Sequence, residues 1–240
     1  MTRTIITNDD GIDAPGIAAL HRAASSLGTL VVVAPEGVRS GVGHSVTTKE
    51  PLVIDGRRES WYAVHGTPAD CARIALTQIA PGAGWLLAGV NRGGNLGADT
   101  YTSGTVAAAR EATLLGFKAI AISQYVHAGL EVDWEWTSRQ AAAVIDFLRA
   151  EPLRAHAFWN VNLPHLVSGS PDPEMVFCGL DYCPLDVRFE VDGPVGPGET
   201  LVHYVGNYYG RERLRGRDVD VCFGGAIAIT EIPLDITPAR

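Results

Sequence analysis

Cysteine is scarce in this 240-residue chain, and the four present (Cys71, Cys178, Cys183 and Cys222) form no C-x-x-C pair. Zinc sites need tighter spacing, so these thiols read as plain, mostly buried small hydrophobes. Positive charge is also in deficit: 19 Lys and Arg face 27 Asp and Glu, a net charge of −8. A protein that grips nucleic-acid backbones would carry a basic stripe, so no nucleic-acid polymer is expected as a partner. The deficit does not exclude a small anionic ligand, because backbone N–H groups and a metal can build such a site. No apolar run approaches the roughly 18 residues of a membrane span, and the opening "MTRTIITNDD" lacks the apolar stretch of a signal peptide. No membrane contact and a cytoplasmic location are the expectation. No G-x-S-x-G elbow occurs, which disfavours a serine hydrolase.

The composition that remains is ordinary and globular, 46% hydrophobic and 19% charged, with length enough for a real core. In the first half, short apolar runs alternate with helical patterns. "TIIT", "LVVVAP" (30–35), "WLLAGV" (85–90) and "AIAIS" (119–123) suit strands buried on both faces of a parallel sheet. "APGIAALHRAASSLG" sets Ile17, Leu20, Ala24 and Leu27 at helical spacing, with Pro15 in the first turn and Gly28 at the stop. "GTPADCARIALTQIA" repeats the signature, with Thr67 as N-cap, Pro68 first in the helix and Asp70 in its first turn. "TSGTVAAAREATLLG" and "TSRQAAAVIDFLRA" supply two more helices. Strand alternating with helix predicts right-handed crossovers and a three-layer α/β fold with a parallel-rich sheet. Past about residue 155 the pattern changes. "FWNVNLP" still reads as a strand, "SGSPDPE" and "DGPVGPGE" are turn-rich, and no helix is expected; "EVD", "LVHYV" and "GGAIAITEI" read as strands or hairpins of a β-rich extension.

The first strand ends on Asn8, Asp9 and Asp10, three polar side chains that are costly to bury unless something is bound. In an open parallel sheet, ligands bind at the carboxyl ends of strands, and two further loops leave those ends. One is "EGVRSGVGHS", with Arg39, Ser40, His44 and Ser45; the other is "NRGGNLGADTYTSGT", from Asn91 to Thr105. Singly, each residue has an ordinary explanation: a solvated turn for the carboxylates and Ser40, a capping role for Asn91, a loop hydrogen bond for His44. Together, oxygen ligands from Asp9, Asp10, Ser40 and Asn91 suit a hard divalent ion such as Mg2+ or Mn2+. Free N–H groups at Ser103, Gly104 and Thr105, where a helix begins, would cradle a phosphate with help from the helix dipole. Metal, activated water and phosphate cradle describe phosphomonoester hydrolysis.

"TNDDGIDAPGI", "RSGVGHSVT", "GTPADC", "GVNRGGNLG" and "YTSGTVAAAREA" resemble, in order and spacing, the SurE family of stationary-phase survival proteins, which are metal-dependent 5′-nucleotidases and acid phosphatases. The likeness is weaker at "NVNLP" (160–164) and at "AIAITEIPLDIT" (226–237), which looks like the family's closing strand. The resemblance implies metal ligands at Asp9, Asp10, Ser40 and Asn91, and phosphate contacts at Asn95, Ser103, Gly104 and Thr105. Asp9, Asp10 and Asn95 are then the catalytic candidates. It further implies a Rossmann-like catalytic core over residues 1–164, and an oligomerisation extension over 165–225 whose β-hairpins exchange between subunits. A closing strand and short tail follow over 226–240. Two departures stand out. The family's acidic pair before the SGT loop reads Ala98-Asp99 here, and the sequence stops at Arg240 where relatives continue into a further helical stretch.

The resulting expectation is a phosphomonoesterase acting on nucleoside 5′- and possibly 3′-monophosphates, with one divalent cation per subunit in a homodimer or homotetramer. Two alternatives stay open: direct attack by Asp9 or Asp10 through an aspartyl-phosphate, and a nucleotide-binding module without turnover. Specificity is expected from loops near residues 40–65 and 124–136, where Trp61, Trp134 and Trp136 could stack on a base or simply pack.

Overall fold

β-branched runs buried on both faces need helices above and below them, and the computed structural model, which describes residues 3–127, 130–166 and 169–235, supplies both layers. Strands β1 (Arg3–Thr7), β2 (Thr29–Pro35), β3 (Ile54–Arg58), β4 (Trp61–Val64), β5 (Ala83–Arg92), β6 (Lys118–Gln124), β7 (Ala157–Leu163), β8 (Met175–Phe177) and β11 (Ile227–Pro233) form one sheet. Its order is β3-β4-β2-β1-β5-β6-β7-β11-β8. The central pairs are parallel, β3 and β11 run antiparallel to their inner neighbours β4 and β7, and β8 follows β11. Because the chain leaves β1 toward β2 on one side and later returns to pair β5 on the other, the carboxyl end of β1 sits at a topological switch point.

Strand alternation divides the core in two. Ile6, Val32 and Ile122 meet Ile17 and Leu20 of α1 (Pro15–Ala23) and Val144 and Leu148 of α4 (Trp134–Ala150). Ile5, Val33 and Ala121 face the other way, against Cys71 and Ala72 of α2 (Pro68–Ile74) and Val106 and Ala109 of α3 (Gly104–Leu114). The predicted helix starts hold: Pro15 opens α1, and Thr67 and Asp70 close a reciprocal capping box on α2. The sequence reading put the start of the fourth helix at Thr137. It begins one turn earlier, because the Asp133 carboxylate accepts the Glu135 and Trp136 N–H groups.

The C-terminal third departs from expectation in two ways. A helix does form there, α5 (Asp218–Phe223), and its Val219 and Cys222 pack with Leu96, Tyr125 and Ala228. "DGPVGPGE" is mostly strand: β9 (Phe189–Gly196) pairs antiparallel with β10 (Glu199–Tyr204) across a two-residue Pro197-Gly198 turn, Gly198 having φ +79°. This hairpin is a separate two-stranded sheet, whereas β8 and β11, from the same third, extend the core sheet. The β3–β4 hairpin lies inside the stretch read as a specificity loop. Its alternation is hidden by charged side chains at an exposed edge, where the Arg58 guanidinium covers the Trp61 ring at 3.8 Å. All four cysteines are free thiols, as their spacing implied. No helix among the described residues is long and apolar enough to cross a membrane. The last five residues of the expected tail, 236–240, lie outside the described residues.

Candidate active site

The strand β1 delivers Asp9 and Asp10 to the switch point, and the turn that follows depends on Gly11. Its φ of +100° disfavours any side chain, and a Cβ there would meet the Gly37 backbone at 3.1 Å. Asn8 locks the same turn by donating from Nδ2 to the Gly11 carbonyl at 2.7 Å, while its Oδ1 is buried without a hydrogen-bond partner. Three hydrogen bonds stitch the other loops to Asp9 and Asp10, two of them to the carboxylates. The Arg39 N–H, next to exposed Ser40, donates to the Asp9 carbonyl at 2.7 Å. The Arg92 N–H, next to Asn91, donates to Asp10 Oδ2 at 3.0 Å. Thr105 donates its hydroxyl to Asp9 Oδ1. Loop two also reaches the SGT loop directly, Gly43 N–H to the Thr102 carbonyl at 3.0 Å. The three loops that topology alone brought to one edge are thus in mutual contact.

Asn91 sits inside β5, beyond a register irregularity against β6 that alters the strand's path after Ala88. Its Nδ2 is engaged by the Gly93 carbonyl at 2.8 Å, which leaves the amide oxygen as its remaining ligand atom. Asn95 is held more tightly. Its backbone N–H donates to Asn162 Oδ1 at 2.7 Å, and its carbonyl accepts from Asn160 Nδ2 at 2.9 Å and Asn162 Nδ2 at 3.1 Å. Its side-chain Nδ2 donates to Ser123 at 2.8 Å. Buried Asn160 and Asn162, both from "FWNVNLP", were read only as strand residues. Two asparagines two apart face one side of a strand, and polar amides in an otherwise apolar strand were the available signal.

The SGT segment divides its polar groups between capping α3 and supporting Asp9. Ser103 is the N-cap of α3: its Oγ accepts the Val106 N–H at 3.1 Å, and its own N–H donates to the Asp99 carbonyl at 3.1 Å. Its N–H is therefore committed, not free for a phosphate. The hydroxyl of buried Thr105 donates to Asp9 and so supports that carboxylate. Gly104 occupies the junction itself. A Cβ there would lie 2.8 Å from Asp9 Cβ and 3.1 Å from Asp9 Oδ2, so only glycine lets the helix start approach the carboxylate this closely.

Burial pushes the Asp9 carboxyl up to about 6; the Thr105 hydrogen bond opposes this and the nearby Asp10 charge adds to it. Burial raises Asp10 as well, against the Arg92 N–H. Among the described residues no three His, Cys, Asp or Glu side chains cluster as a metal site. A cation here would therefore rest on two carboxylates with the Ser40 hydroxyl and the Asn91 amide oxygen. Such an all-oxygen set suits Mg2+ or Mn2+ with several waters retained, and two crowded carboxylates that resist ionisation are what a divalent charge would relieve.

Around this centre lies a supporting scaffold of side-chain hydrogen bonds. Asp218 accepts the Gly97 N–H at 2.7 Å and the Asp181 N–H at 2.6 Å, tying α5 to the segment ahead of the SGT loop. Asp99, at the position where the family's acidic pair is broken, accepts from Arg211 at 2.9 Å. His44 bonds to buried Glu111 of α3 at 2.7 Å, as a hydrogen-bonded loop residue. Trp61, Trp134 and Trp136 pack against the first core cluster, the bland reading of the two offered for them.

Known proteins resemble the chain along most of its length. The family described as Survival protein SurE matches residues 4–186. A protein of Nostoc sp. is 50% identical over 95% of this chain and 98% of its own. The 5′-nucleotidase SurE of Paramagnetospirillum magneticum is 38% identical over 98% of this chain and 91% of its own length, and that of Geobacter sulfurreducens 37% over 97% and 88%. The crystal structure of the SurE protein from Aquifex aeolicus superposes with a TM-score of 0.87 at 30% identity, covering 98% of this chain and 94% of that one.

Proposed function

The chain belongs to the SurE family, and we propose that it is a 5′-nucleotidase, hydrolysing nucleoside 5′-monophosphates to nucleoside and phosphate with one divalent cation, Mg2+ or Mn2+, per subunit. The observation that carries this reading is the approach of Gly104 to Asp9, which sets the start of an eleven-residue helix against paired carboxylates. Phosphate and metal subsites are adjacent only if those two elements touch.

Asp9, Asp10, Ser40 and Asn91 would hold the cation. When bound, it supplies charge for a phosphoryl oxygen and a water of lowered pKa. The chain's own residues do the rest. The Gly104 N–H and the helix dipole favour an anion at the start of α3. Asn95, its backbone clamped by Asn160 and Asn162 and one amide N–H given to Ser123, keeps a second side-chain N–H that would serve the phosphate as a fixed donor. Thr105 keeps Asp9 oriented and favours its ionised form. Both carboxylates already accept hydrogen bonds, which argues against either as a nucleophile attacking phosphorus.

The enzyme is proposed to work in the cytoplasm as a homodimer or homotetramer, with the 165–225 extension between subunits. Phosphate release from adenosine 5′- and 3′-monophosphates, with and without added Mg2+ or Mn2+, tests the activity. Release from the 5′ ester in the presence of metal is expected, with slower release from the 3′ ester. No release from either would overturn the reading.

A further inference from the structure

Next to the paired carboxylates lies a cavity of about 400 Å³, to which Arg92, Gly93 and Gly94 contribute from the loop after β5, and His127, Tyr208 and Tyr209 from elsewhere in the chain. It adjoins the reaction centre through the backbone. The Arg92 N–H donates to Asp10, and Asn95 follows Gly94 directly. A volume of this order falls within the range of small-ligand sites.

The two tyrosines differ in role. Tyr208 is anchored: its hydroxyl lies 3.3 Å from Asp99 Oδ2 and 3.4 Å from the Gly94 carbonyl, and the Arg211 guanidinium covers its ring at 4.7 Å. Tyr209 stands edge-on to that fixed ring, with centroids 5.6 Å apart and planes at 87°, and lies 5.7 Å from the His127 ring. It remains 43% exposed, an aromatic ring held in place at the wall of a polar cavity instead of in the core. Gly94 keeps the neighbouring wall low, since a Cβ there would come within 3.0 Å of the Tyr208 hydroxyl. A flat, π-rich group linked by a short spacer to a phosphate fits this arrangement.

We propose that this cleft receives the base of the nucleoside monophosphate and that Tyr209 is a specificity-determining residue, stacking on the base while the phosphate sits at Gly104 and Asn95. The inference rests on the nucleotidase reading for the position of the phosphate. None of the three tryptophans supplies this platform. Tyr209 comes from the stretch "GNYYGRER", which carried no functional signal in the sequence beyond its paired tyrosines.

The test is the affinity of the full-length protein for the non-hydrolysable phosphonate analogues of adenosine 5′-monophosphate and of ribose 5-phosphate, by calorimetry with Mg2+ present, in wild type, Tyr209→Ala and Tyr209→Phe. Base–aromatic stacking predicts that Tyr209→Ala lowers the preference for the nucleotide over the sugar phosphate by about five- to hundredfold. Tyr209→Phe, which keeps the ring, is expected to retain it. An unchanged preference in Tyr209→Ala, or no preference in wild type, overturns the proposal. Binding is read without turnover, so ribose 5-phosphate hydrolysis by wild type reports separately on the nucleotidase reading.

Discussion

Replacing Thr105 with valine removes one hydroxyl and preserves shape, at a buried position whose hydroxyl supports Asp9. A hydrogen bond to a charged group is worth about 1.5–3 kcal/mol, which corresponds to raising the Asp9 carboxyl by about one to two pH units. Starting from about 6, the carboxyl would then titrate near or above neutrality. A cation must displace that proton, so apparent metal affinity at pH 7 should fall about two- to fifteenfold and recover toward wild type near pH 9. Calorimetric titration of Mn2+ into both proteins at pH 6, 7 and 9 reads this out. Equal affinities at pH 7, or a deficit that ignores pH, would refute the assignment of Thr105 to Asp9.

Three further outcomes follow from the same geometry. Asn162→Leu strands the buried Asn95 N–H, so stability should drop by about 1–3 kcal/mol and KM for the nucleotide should rise while Mn2+ affinity holds; parallel loss of both would point to collapse of the site instead. Asp9, raised to about 6 from 3.8, holds its proton more tightly in the folded chain. That stabilising contribution is full below 3.8 and lost as pH rises through about 6, about 3 kcal/mol in all, so added Mg2+ should raise the melting temperature more at pH 7 than at pH 5. The β9–β10 hairpin leaves Phe189, Val191, Val195 and Tyr204 more than half exposed, and light scattering at micromolar concentration should find a dimer or larger; a monomer would count against that role.

Most of the core was legible because its signals are local. Pro15, and Thr67 with Asp70, mark helix starts, and β-branched runs mark strands buried on both faces. Bringing the loops that carry Asp9, Asp10, Ser40 and Asn91 to one edge required the rule that ligands gather at strand carboxyl ends, and the loops do meet there through Arg39–Asp9 and Arg92–Asp10 hydrogen bonds. Less legible were the features that depend on tertiary partners. Nothing local distinguishes Thr105 facing a phosphate from Thr105 facing Asp9, because that choice is made by how closely Gly104 lets α3 approach β1. Asn162 looked like a strand residue because its partner, the Asn95 backbone, is 67 positions away. The short helix α5 is held by Asp218 bonds to Gly97 and Asp181 more than by periodicity, so its sequence pattern is faint.

The central claim is that paired carboxylates at the end of β1 hold a divalent cation that nucleotide hydrolysis requires. Its most direct test is release of phosphate from adenosine 5′-monophosphate by protein stripped with a chelator, before and after adding back Mg2+ or Mn2+, alongside Asp9→Asn and Asp10→Asn. Each substitution keeps the side-chain volume and deletes one negative charge, so the fold should persist while metal affinity falls. The account predicts that metal restores wild-type activity and leaves both variants more than about a hundredfold slower. Full activity in the stripped protein, or near-wild-type turnover in both variants, would contradict it.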